Sequence, residues 1–197
     1  MINRYQEYLH ICAALTADTN PPAPEIRELR GLMDEWLRWA PSAPHRDQFE
    51  GWEGTFPCWE ALIQTAGEVM CLDPLPVTAV PIVEACWILS DECEEMQDWA
   101  KANVQACFNG LTTLAGSSYA TVRWQVYVAI SVLPERGLMY LRQGLSDPDA
   151  YCRRRVAGEL VRLCPSDHVE LSETISDDSD DWTRRLAVEL RECKPLM

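Results

Sequence analysis

The side chains best suited to chemistry in this 197-residue chain are arginines and aromatics at helical spacing. Arg123, Arg153, Arg154, Arg155, Arg162, Arg184, Arg185 and Arg191 crowd into three segments of the C-terminal half. In columns of thirty residues, Trp124, Arg154 and Arg184 share one position. Thr121, Tyr151 and Asp181 share the next, and Gln125, Arg155 and Arg185 a third. Guanidinium groups mixed with Trp and Tyr are what protein-binding hot spots favour. The same mixture could also hold an anion or a nucleic-acid backbone.

Catalytic constellations are harder to assemble. His10, His45 and His168 are far apart in sequence. No His-Glu-x-x-His, glycine-rich phosphate loop or Gly-x-Ser-x-Gly occurs. The nine cysteines are odd in number and scattered, without a Cys-x-x-Cys pair, and Cys86 and Cys93 are spaced wrongly for a zinc knuckle. No metal, no cofactor and no catalytic residue is expected. Most of the cysteines fall at apolar positions of helical patterns, where Cys behaves as a small buried hydrophobe. That usage fits a reduced, cytoplasmic protein rather than a secreted one.

The formal net charge is −14. Phosphate binding needs a cationic surface, so nucleic acid is a poor global partner. A basic protein is the natural counterpart. Two segments are purely acidic among their charged residues. One runs from Glu84 to Asp98, the other from Ser166 to Asp181 with Asp167, Glu170, Glu173, Asp177, Asp178, Asp180 and Asp181. No apolar run approaches the length of a membrane span, so no membrane partner is expected.

The elements that must position these groups are helices. Apolar stripes predict helices over 1–17 (Tyr5, Tyr8, Leu9, Cys12, Leu15), 24–39, 58–71 and 77–90, and a fifth over 94–115, straight or bent. Residues 41–57 lack a period and form a long irregular stretch, either a functional loop or a connector whose aromatics cap the core. Beyond it Val126, Val156 and Leu186 recur 30 residues apart, as do Ile130, Leu160 and Leu190. A fixed period of this length signals one helical hairpin stacked on copies of itself. Such stacks usually hold a partner rather than do chemistry.

The run Asp147-Pro148-Asp149-Ala150-Tyr151-Cys152-Arg153-Arg154-Arg155-Val156-Ala157 resembles the core of a HEAT-like repeat. Ser117 to Arg123 and Asp177 to Arg184 are weaker copies, the last with one extra residue between Asp and Arg. The resemblance covers residues 95–197, and 1–94 read as degenerate helical hairpins. It implies an all-α fold, a right-handed α-solenoid of stacked hairpins whose second helices line the concave face. One continuous domain, 1–197, is expected. HEAT-like proteins include scaffolds, adaptors, chromophore lyase subunits, DNA-base glycosylases and bacterial toxin inhibitors.

Two readings compete for the charges. Internally, an Asp of one turn pairs with an Arg of the same or the next repeat, Arg123 and Arg153 with Asp147 and Asp177. Externally, the charges line a groove. The candidate partner-binding residues are Trp124, Tyr151, Arg154, Arg155, Asp177, Asp178, Asp180, Asp181, Trp182 and Arg185. Trp52, Trp124 and Trp182 are the tryptophans expected at the surface. The expected function is non-catalytic protein binding by an acidic, cytoplasmic, immunity-type inhibitor that neutralises a basic bacterial toxin. The alternatives are an adaptor or assembly chaperone that holds a peptide or helix in its groove, and a nucleic-acid or cofactor enzyme. A glycosylase-like site would cast Trp124, Arg154 and Asp181, against the charge of the chain.

Overall fold

The computed structural model describes residues 23–42, 52–91 and 94–192. The helix expected over 1–17 and residues 43–51 of the irregular stretch lie outside them. The described residues form ten α-helices and no strand. They fall into two compact units that divide at Ser117 and Ser118. That division lies one hairpin beyond the 94/95 boundary suggested by the repeat pattern.

The N-terminal unit holds α1 (Pro24–Trp39), α2 (Trp59–Met70), α3 (Val80–Leu89), α4 (Glu95–Ala102) and α5 (Val104–Leu114). α1 buries Ile26, Leu29, Met33 and Trp36, an i, i+3, i+7, i+10 stripe that faces α2. Pro24 opens it, where a missing N–H costs nothing. α2 is the hub and packs on all four of the other helices. Trp59, Leu62, Ala66, Val69 and Met70 are buried on it. α3 is buried on nearly every side, as its uniformly apolar sequence requires.

The helix expected over 94–115, straight or bent, is two helices broken at Asn103. The Asn103 side-chain amide donates to the Trp99 carbonyl at 2.9 Å, competing with the helical ladder. Tryptophans serve mainly as packing with a polar tether: Trp59 donates to Glu95 (3.2 Å) and Trp99 to Gln64 (2.9 Å). Phe56, from the described part of the irregular stretch, is buried against Trp39 with ring centroids 5.4 Å apart. In that contact the stretch caps the core. Desolvation raises the Glu84 carboxyl above its usual range, partly opposed by a hydrogen bond with Ser117.

The C-terminal unit holds α6 (Ala120–Ile130), α7 (Pro134–Gly144), α8 (Ala150–Leu163), α9 (His168–Ile175) and α10 (Asp181–Glu192). α8 is its hub. It packs on α6 and α7, and on α9 and α10, while α9 and α10 pack closely on each other. Val126 and Val156, and Ile130, Leu160 and Leu190, are buried core positions as the thirty-residue spacing implies, whereas Leu186 is only half-buried and its neighbour Ala187 is buried instead. No described helix is long and apolar enough to cross a membrane.

Candidate functional site

The turns that open α8 and α10 are built alike. In Asp147-Pro148-Asp149, the Asp147 carboxylate accepts from the Asp149 N–H at 2.8 Å. Asp149 then caps α8 by accepting from the N–H groups of Tyr151 (2.9 Å) and Cys152 (3.1 Å). In Asp178-Ser179-Asp180 the same bonds recur, from the Asp180 N–H to Asp178 (2.7 Å) and from the Thr183 N–H to Asp180 (2.9 Å). Thr183 adds its hydroxyl to Asp180 at 3.0 Å.

The first Asp of each turn receives an arginine from two helices back along the chain. Arg123 of α6 makes two parallel bonds to Asp147, each 2.8 Å. Arg153 of α8 makes two to Asp178, of 2.7 and 2.8 Å. A second bond type fixes the register. Arg153 donates to the Asp147 carbonyl at 2.8 Å, six residues back, and Arg184 to the Asp178 carbonyl at 2.6 Å, also six back. Arg184 therefore stands where Arg153 stands, and the step between the last two turns is 31 residues, not 30. This corrects the columns read from sequence: Arg185 rather than Arg184 follows Arg154. It also places Asp178 where Asp177 was expected in the ladder. Asp177 is exposed and makes no ion pair with any described residue.

These rungs are shielded. The Asp147 side chain is 2% exposed and that of Arg123 10%, so the pair is buried. Asp178 is 9% exposed against 11% for Arg153. Asp180 is buried under the half-exposed Arg154, which reaches it through Nε at 2.8 Å and through Nη2. Burial opposes ionisation of Asp147, but the bonds from Arg123 and from the Asp149 N–H outweigh it and lower its pKa. Arg153 lowers Asp178, and Arg154 lowers Asp180. Carboxylates lowered on folding stabilise the protein above the ordinary Asp range, near pH 4. That stability is lost as pH falls below it. The helicity of residues 118–192 is therefore expected to be flat in pH from neutrality to about pH 5 and to fall below about pH 4. Hydrogen exchange resolved by segment checks this.

The aromatic candidates divide. Trp124, expected at the surface, is buried. Tyr151 meets it edge-on with centroids 5.5 Å apart, and the Arg155 guanidinium lies 4.7 Å from its ring centroid. Arg155 is also 6.0 Å from the Tyr151 ring. The three make one cation–aromatic cluster on α6 and α8, with Tyr151 its exposed member. Trp182 is exposed, as expected, and stands on α10 with exposed Arg185 and Val188. Among the described residues no ion pair or ring contact joins Trp182, Arg185 or Asp177 to the cluster. Asp181 pairs locally with Arg184. The side chain of Trp52 lies outside the described residues.

Residues 118–197 hold thirteen acidic and eleven basic residues, and residues 1–117 hold eighteen and six. Almost all of the net charge therefore belongs to the N-terminal unit. Glu28, Asp34, Glu35, Glu60, Glu68 and Asp73 are exposed there.

A cleft in the C-terminal unit escaped sequence reasoning. It encloses about 110 Å³ between α7, α8 and α9, with Leu145, Leu160 and Leu171 in its lining and Cys164 and Thr174 beside them. Arg142 lies at this cleft and bonds Asp167 (2.9 Å) and Glu170 (2.8 Å). The one available signal was spacing: Arg142 precedes Asp167 by 25 residues, as Arg153 precedes Asp178. Unlike the ladder, this clamp is open to water, with side chains 48%, 35% and 66% exposed for Arg142, Asp167 and Glu170. Exposed pairs contribute only about 0–1 kcal/mol each.

Among the described residues no group of His, Cys, Asp and Glu is arranged to hold a metal ion. Six cysteines there are free thiols, and burial pushes Cys107 and Cys152 up to about 12. No protein-family model matches the chain, and no curated protein does.

Proposed function

We propose that the chain is a non-catalytic protein-binding module, an acidic inhibitor of the immunity kind that captures a basic effector such as a bacterial toxin. The observation that carries this reading is the excess of acidic over basic residues in Met1–Ser117, with acidic side chains exposed on α1 and α2. Such a surface speeds encounter with a cationic partner and repels nucleic acid. The free thiols, three of them buried among the described residues, suit a reducing, cytoplasmic setting.

On the same footing we infer a HEAT-like, right-handed stack of hairpins for the C-terminal unit. The repeated Asp-x-Asp turn and the Arg–Asp rungs support it. In that frame the rungs stiffen the scaffold, and the exposed Tyr151, Trp182 and Arg185 with the half-buried Arg155 are available to a partner. The exposed Trp182 and Val188 on α10 favour the second reading, an adaptor that holds a helix or peptide.

Association kinetics separate the two. For an inhibitor, the on-rate with the protein retained from host lysate falls steeply as salt rises. Neutralising Glu60, Glu68 and Asp73 together lowers that on-rate about tenfold at low salt. For an adaptor the rate ignores both changes, and Trp182→Ala instead accelerates dissociation. Asp178 and Asp180 are unsuited to such a test, because their loss would break rungs of the scaffold.

A further inference from the structure

The cleft between α7 and α9 has a lining and a clamp that the ladder does not need. Its size suits a small aliphatic group. A dry apolar cavity of about 150 Å³ accommodates benzene, and this one encloses about 110 Å³. Leu145, Leu160 and Leu171 supply the apolar surface. Met139 on α7 and Val169 on α9, 57% and 67% exposed, extend the apolar surface of those two helices.

The electrostatics at the cleft narrow the occupant. Asp167 and Glu170 share one arginine, so two negative charges face one positive charge. From Ser166 to Asp181 the chain carries no Lys or Arg, and the nearby Glu173 and Asp177 are exposed. An acidic or neutral peptide would meet uncompensated carboxylates there. A cationic one would gain from them. Arg142 is half-exposed and pairs in water, so a second guanidinium or ammonium can replace it at small cost. Asp147 and Asp178 cannot be shared this way, because their arginines are sealed in with them.

We propose that this cleft receives a leucine- or valine-sized side chain of the basic partner, with an adjacent Arg or Lys of that partner taking Asp167 and Glu170 from Arg142. The proposal rests on the basic-partner reading above and gives it a specific seat. Arg142 is then a competitor, not a ligand-holding group.

Two synthetic peptides test it, one alternating arginine with leucine and one alternating glutamate with leucine. Binding is followed through the methyl resonances of Leu145, Leu160 and Leu171 in the full chain. The basic peptide is expected to shift these methyls and the acidic peptide to leave them unmoved. Arg142→Ala frees both carboxylates and is expected to tighten the basic peptide about threefold or more. Thr174→Phe, at an exposed position of the lining, is expected to abolish the methyl shifts while the helical spectrum is kept. Unmoved methyls with both peptides would overturn the proposal, as would weaker binding by Arg142→Ala. A basic peptide that shifts only resonances of residues 23–114 would also overturn the cleft, yet leave the basic-partner reading standing.

Discussion

Asp147→Ala is expected to destabilise the C-terminal unit by about 3–5 kcal/mol, the range for removing one partner of a buried ion pair. The cause is the guanidinium left behind. Arg123 is 10% exposed and would lose both bonds of its fork. Tyr127 would lose its bond to the same carboxylate, 3.3 Å away, and the turn would lose the carboxylate that accepts from the Asp149 N–H. The double variant Arg123→Met with Asp147→Leu is expected to recover the share of that loss due to the stranded guanidinium, since apolar side chains of similar volume can replace a buried pair, but not the Tyr127 and Asp149 bonds. Urea unfolding, with hydrogen exchange resolved by segment, is the measurement. If the single variant unfolds like the parent, Asp147 and Arg123 are not a structural rung.

Gly110→Ala is expected to be nearly as damaging in the N-terminal unit. A Cβ at Gly110 would lie 2.3 Å from the Met70 carbonyl oxygen and 3.2 Å from its carbon. Those atoms are backbone at the end of α2, so no rotamer change relieves the clash and the helices must separate. Overpacking of this kind costs about 1–3 kcal/mol or more. Loss of exchange protection is expected first in α2 and α5, the two helices forced apart. Gly31→Ala serves as the control, because a Cβ there meets nothing within 4 Å. It is expected to be neutral or slightly stabilising through helix propensity. Equal behaviour of the two variants would remove the close approach of α5 to α2 from the list of stabilising features.

Much of the helical layout was legible because it rests on periodicity. Ile26, Leu29, Met33 and Trp36 declare one face of α1, and the same logic places α2 and α3 to within a few residues of the expected bounds. The pattern over 94–115 admits a bend, but its place at Asn103 was not legible, because an Asn inside an apolar pattern bonds either to solvent or back to its own helix. The Arg–Asp ladder was half legible. Arg123 with Asp147 follows from the repeat, but the extra residue in the third turn moved the rung from Asp177 to Asp178, which the fork of Arg153 and the bond of Arg184 to the backbone reveal.

The candidate binding residues were harder for a physical reason. An aspartate in an acidic run has the same sequence signature whether it faces water or a guanidinium from the previous repeat. Asp178 and Asp180 face guanidiniums, whereas Asp177 faces solvent. Trp124 looked exposed because neighbouring columns hold arginines, yet one of those arginines, Arg155, covers its ring. The Arg142 cleft was invisible because it depends on how α7 and α9 splay over α8.

The central claim is that the exposed acidity recruits a basic protein. Capture of the tagged chain with its partners from nuclease-treated host lysate tests it most directly, with the eluate identified by mass spectrometry at low and moderate salt. The expected result is one basic protein in stoichiometric amount, retained at low salt and depleted as salt rises. Several neutral proteins that ignore salt, or a nucleic acid that survives the nuclease, would contradict it.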